Sequence, residues 1–153
     1  MLLVHGAFAD GSMWAGVITE LQAAGIDVIA VASPLRSLTS DAAYVASAVA
    51  EIDGPVLLAG HDYGGAVITA AAFEEKSPAA AWKTTPSWYI VATADQVIPP
   101  EGQQFMARRA GAHSIEMDAS HAIALTQPAA VAGHIAAAAS PASRRRHDRP
   151  TRP

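Results

Sequence analysis

The chain has no cysteine. That absence excludes disulfides and thiolate metal sites, and it accords with the cytoplasmic setting expected here. Charge is scarce too, at 16% of residues. No apolar run reaches the roughly 18 to 20 residues that would span a bilayer before Gly, Pro or a polar side chain interrupts it. The opening "MLLVHG" has no basic flank, no long apolar segment and no small-residue cleavage site, so no secretory signal is expected. His113, His134 and His147 have no carboxylate or histidine at ligand spacing, and no phosphate loop or nucleic-acid motif occurs. The expectation is therefore no metal, no cofactor, no nucleic-acid or membrane partner, and a small-molecule substrate. Oligomeric state is not readable.

What is present is apolar. Hydrophobic residues make up 51% of 153 positions, enough to bury one core, so one domain over residues 1–139 is expected. Residues 140–153 hold five arginines against Asp148 alone, which makes this tail +4 and leaves −8 of the total −4 for the rest. It has three prolines and no apolar period, so it reads as a disordered, solvated end without assigned function.

Along the chain, short apolar runs alternate with helical stretches. "MLLVH", "IDVIAVA", "PVLLA", "WYIVA" and "HSIEMD" read as five buried strands, bounded by Gly or Pro. Between them, Trp14, Val17, Ile18 and Leu21 recur at helical spacing with Asp10 or Ser12 as cap. Val45, Val49 and Ile52 do the same with Ser40 or Asp41 as cap. "GGAVITAAAFEE", "PPEGQQFMARRAG" and residues 128–139 complete the helices, while residues 76–87 read as a loop. Parallel neighbours need crossovers of a dozen or more residues, so the alternation predicts an α/β fold. It is an open, mostly parallel five-stranded sheet with helices on both faces. Trp14, Trp82, Trp88 and Tyr89 read as packing residues.

Three loops, each directly after a strand, carry reactive side chains: Asp62 in "GHDYGG", Asp95 in "VATADQVIPP" and His121 in "ASHAI". All fall at the carboxyl edge of the sheet, where open α/β sheets bind ligands. Each residue also has a plainer reading, as a turn former or a surface histidine. His5 reads as a structural loop donor, and His61 as packing beside the bend.

Together with "VHGAF" at residues 4–8, these segments resemble the α/β-hydrolase superfamily, particularly its small bacterial esterase-like members, from residue 1 to about 139. The resemblance implies a nucleophile at Asp62, a general base at His121 and an orienting acid at Asp95. It also implies oxyanion donors at the backbone N–H groups of Ala7 and Tyr63.

Two departures stand out. Most members have Ser where this chain has Asp62. Carboxylate attack on an ester carbonyl gives a reactive anhydride, whereas attack on a saturated carbon gives an alkyl ester that water can hydrolyse. The pattern is similar in this respect to haloalkane dehalogenases and epoxide hydrolases, although Phe8 stands where those usually have proline. The chain is also short, with five strands and no room for a cap. The expected substrates are small and largely apolar, and the shallow site predicts low activity; an inactive remnant of an esterase-like hydrolase is the other reading. If the strands close ranks in the order 2-1-3-4-5, neighbours move about 4.8 Å closer and the Asp95 loop comes to flank the Asp62 loop.

Overall fold

The computed structural model describes residues 1–74 and 85–140. Most of the connector after the third helix, Trp82 with it, and the arginine tail from 141 with His147 lie outside these. The described residues hold five strands: β1 Leu2–Val4, β2 Ile29–Val31, β3 Leu58–Gly60, β4 Trp88–Ala92 and β5 His113–Met117. The helices are α1 Ala15–Ala23, α2 Leu38–Ala50, α3 Tyr63–Glu74, α4 Pro100–Arg109, α5 Ile123–Thr126 and α6 Pro128–Ala139. A 3-10 turn at Gly11–Trp14, capped by Asp10 accepting from the Ser12 amide, leads into α1.

β1 forms the structural axis. It runs parallel to β2 on one side and β3 on the other, with Val4 opposite Val31 and Gly60. Its three side chains are buried, and strand alternation sends them to opposite faces. Leu3 joins Trp14, Val17, Leu21, Val131 and Ile135 in a core beneath α1 and α6. Leu2 and Val4 join Val31, Val45 and Val67 in a second core beneath α2 and α3. Helices thus cover both faces of a parallel sheet, as expected for this fold class. Among the described residues, no helix is long and apolar enough to cross a membrane.

The expected closing of ranks does not occur. The strands form a three-stranded sheet, β2-β1-β3, and a separate parallel pair, β4-β5. No ladder of hydrogen bonds joins β3 to β4. The cause is visible on β4. The Thr93 amide bonds the Met117 carbonyl of β5, so the alternate Ala92 amide points to the opposite edge. There it is taken by the Gln103 side-chain carbonyl at 3.0 Å instead of by a strand. The carboxylates at 62 and 95 therefore do not flank one another through a shared ladder.

A second correction concerns α2. Its cap is Ser37, whose hydroxyl accepts from the Ser40 amide, not Ser40 or Asp41. Asp41 is instead buried on the face that meets α3.

Candidate active site

The tight turn after β3 is built from its glycines and from one strained residue. Asp62 has φ +51, a left-handed conformation that Asp tolerates better than branched residues do. The Gly64 amide bonds the His61 carbonyl at 2.8 Å and the Gly65 amide bonds the Asp62 carbonyl at 2.9 Å, turning the chain at once into α3. The Asp62 side chain is thereby lifted off the sheet at the start of a helix.

Its two oxygens have different surroundings. Oδ2 accepts the Ala7 amide at 3.2 Å. Oδ1 lies 3.9 Å from Nε2 of His121. The carboxylate thus reaches the amide that the family resemblance implies as an oxyanion donor. The Tyr63 amide makes no hydrogen bond within the described residues. The Ala7 loop is held from behind by His5, which is buried. Its Nε2 accepts the Ser33 amide at 3.0 Å, which leaves Nδ1 to donate to the Gly6 carbonyl at 2.9 Å. Both ring nitrogens are occupied, so His5 anchors the loop.

On the other side, His121 Nδ1 bonds Asp95 Oδ2 at 2.9 Å. Asp95 is nearly enclosed, and its four acceptor positions are filled. Val97 and Ile98 amides reach Oδ1 at 2.7 and 3.0 Å, and Gln103 Nε2 shares Oδ2 with the histidine at 2.8 Å. Burial by itself would raise the Asp95 pKa; the hydrogen bonds from His121, Ile98 and Val97 outweigh it and hold the group below its ordinary value of 3.8. In the neutral ring with the Nδ1 proton directed at Asp95, Nε2 of His121 presents a lone pair on the side of Asp62. A water placed beside the 3.9 Å gap can donate to both groups.

Sequence reading missed two supports. Gln103 holds Asp95, the Ile98 carbonyl and the edge of β4 with one side chain. The available signal was a buried-face pair at helical spacing, Gln103 with Ala107. Asp41 accepts the Tyr63 hydroxyl at 2.7 Å and the Arg36 amide at 3.2 Å, tying the turn to α2; the Asp41 bond raises the Tyr63 pKa.

Beside His121 an open depression of about 370 Å³ is lined by Ala94, Gln96, Val97, Ser120, His121 and Ala122. Its walls carry no charge apart from any on the imidazole. No group of three or more His, Asp or Glu placed to hold a metal occurs among the described residues.

Two histidines make the fold sensitive to acid. Burial lowers the pKa of His61 and of His134 from the ordinary 6.5, and Nε2 of His134 has no hydrogen-bond partner among the described residues. The unfolded chain then takes up protons first, so stability declines as pH falls through 6.5 and the decline ends below the folded values. The Asp95 contribution is present above 3.8 and is lost only as pH falls through its lower folded value. Urea midpoints are therefore expected to drop between about pH 7.5 and 5.5, and His134→Leu to make that drop shallower. An unchanged drop in this variant would contradict the assignment.

The pattern of the Alpha/beta hydrolase family matches residues 1–79 and 71–134. Among solved structures, a protein of Xanthomonas campestris pv. campestris assigned to the alpha/beta superfamily of hydrolases aligns with TM-score 0.72 and 16% identity, over 89% of this chain and 95% of that one. A pyrethroid hydrolase of Sphingobium faniae JZ-2 aligns with TM-score 0.71 and 18% identity, over 92% and 97%. Comparison with curated protein sequences finds no match.

Proposed function

Because the chain belongs to the alpha/beta hydrolase family, we propose that it is a hydrolase in which Asp62 attacks a saturated carbon of a small, largely apolar substrate. The observation that carries this reading is the division of labour within the Asp62 carboxylate. Oδ2 rests on the Ala7 amide while Oδ1 is directed towards His121.

In the first step Oδ1 forms a bond to carbon and the leaving group departs with its electron pair, as halide or, from an epoxide, as an alkoxide that takes a proton from solvent. The product is an alkyl ester of Asp62. In the second step His121 Nε2 takes a proton from water and the hydroxide adds to Asp62 Cγ. Negative charge gathers on Oδ2, already against the Ala7 amide, with the free Tyr63 amide as the second donor. Collapse releases the alcohol, protonated by His121, and the Asp62 carboxyl returns its remaining proton to solvent. Asp95 keeps the imidazole in the required tautomer throughout.

The uncharged depression beside His121 suits an apolar group. That depression is open to solvent, so the donors work against water and turnover is low. A cytoplasmic location fits the absence of cysteine.

The test is to trap the ester. The His121→Asn chain, incubated with short haloalkanes and terminal epoxides, is expected to gain the mass of the alkyl group on the peptide containing Asp62. The native chain should show the same adduct only transiently. No adduct across such a panel would leave a folded chain without this chemistry.

A further inference from the structure

His61, the residue before the proposed nucleophile, is mostly enclosed, yet the reaction gives it no step. Its Nε2 lies 2.7 Å from the backbone carbonyl of His121. A carbonyl only accepts, so Nε2 carries the proton and Nδ1 is a bare lone pair. That Nδ1 is buried without a hydrogen-bond partner among the described residues, and a Cβ built on Gly6 would come within 3.1 Å of it. The ring is therefore wedged against the glycine of the Ala7 loop, with its donor edge turned to the histidine loop. The two imidazoles lie 4.7 Å apart at an interplanar angle of 60°.

The position of this bond in the fold gives it weight. Asp62 belongs to the sheet β2-β1-β3, whereas Asp95 and His121 follow the pair β4-β5, and no ladder joins the two. Around the site, the other hydrogen bonds stay within residues 1–74 or within 85–140: Ala7 with Asp62, Tyr63 with Asp41, His121 and Gln103 with Asp95. The His61 bond spans sixty positions and crosses between the segments.

We propose that His61 is a positioning residue, a neutral strut whose Nε2–H sets the reach of His121 to Asp62 across the unpaired junction of the two sheets. The inference rests on the reading of His121 as base. Holding that base within a fraction of an ångström matters because a misplacement of about 1 Å can cost on the order of 10²-fold in rate.

Three variants test the strut. His61→Gln keeps a donor at the Nε2 position, His61→Asn keeps the same amide one bond too short, and His61→Phe keeps the ring without a donor. Amide hydrogen exchange at residues 125–127, whose amides bond the Ala122 and Ile123 carbonyls just after His121, is expected to quicken by about tenfold or more in the Asn and Phe chains while the Gln chain stays near the native rate. With His121 in place, hydrolysis of the Asp62 ester should slow in the same two chains, so that the adduct lingers, and recover with Gln, while ester formation changes little. Equal exchange in the Gln and Asn chains, or native exchange in the Phe chain, would overturn the strut. If no chain forms an adduct, including His121→Asn, the Asp62 chemistry fails, and the exchange comparison still decides for or against His61.

Discussion

A chain carrying Asp62→Ser is expected to hydrolyse a short-chain activated aryl ester about 10²-fold faster than the native chain does. In the native protein a carboxylate oxygen sits on the Ala7 amide at 3.2 Å, where the oxygen of an ester-derived tetrahedral intermediate would have to go. Serine is one atom shorter and would vacate that place. Both the Ala7 and Tyr63 amides would then be open to the oxyanion, and a single such donor is worth about 10²- to 10³-fold. The His121 lone pair, backed by Asp95 at 2.9 Å, can accept the hydroxyl proton. Initial rates on the purified chains measure the gain. An intact fold without any gain would mean that His121 and the two amides do not converge on position 62.

Gly64→Ala is expected to prevent folding. A Cβ at position 64 would stand 2.3 Å from the Val4 carbonyl oxygen and 2.7 Å from that of His5, both of them main-chain atoms that cannot rotate away. α3 crosses the end of β1 at this point, and β1 supplies buried side chains to both cores, so relief would require moving the axis of the sheet. A penalty above about 4 kcal/mol follows, a large share of the stability of a domain this size. Circular dichroism and urea titration would show it; a cooperative transition near the native midpoint would contradict the close approach. Gly65→Ala is the matched control, since among the described residues its Cβ would meet only the Gly60 carbonyl oxygen, at 3.9 Å.

How far the fold could be read in advance follows from what is local in it. β4 at Trp88–Ala92 and α6 at Pro128–Ala139 fall where the apolar runs and the helical period put them. β2 is shorter than its β-branched run, Ile29–Val31 within residues 26–32, because only the stretch opposite β1 finds a partner. Asp62, Asp95 and His121 stood out because each follows a strand, a positional signal. Gln103, Asp41 and His61 act through partners packed against them from other elements, and no pattern along the chain records those meetings. Asp41 shows the difference: its placement in the first turn of α2 suggests a cap, but Tyr63, twenty-two positions away, claims the carboxylate. The unpaired junction was hidden for the same reason, since what closes the β4 edge is a side chain on a helix.

That closure ties architecture to inheritance. One amide group on Gln103 both ends the β4 edge at Ala92 and steadies the Asp95 carboxylate. Any lineage that gained a strand beside β4 would have to evict this side chain and find a new support for the acid in the same event. At this point in the molecule, the size of the sheet and the upkeep of the imidazole's partner cannot drift independently.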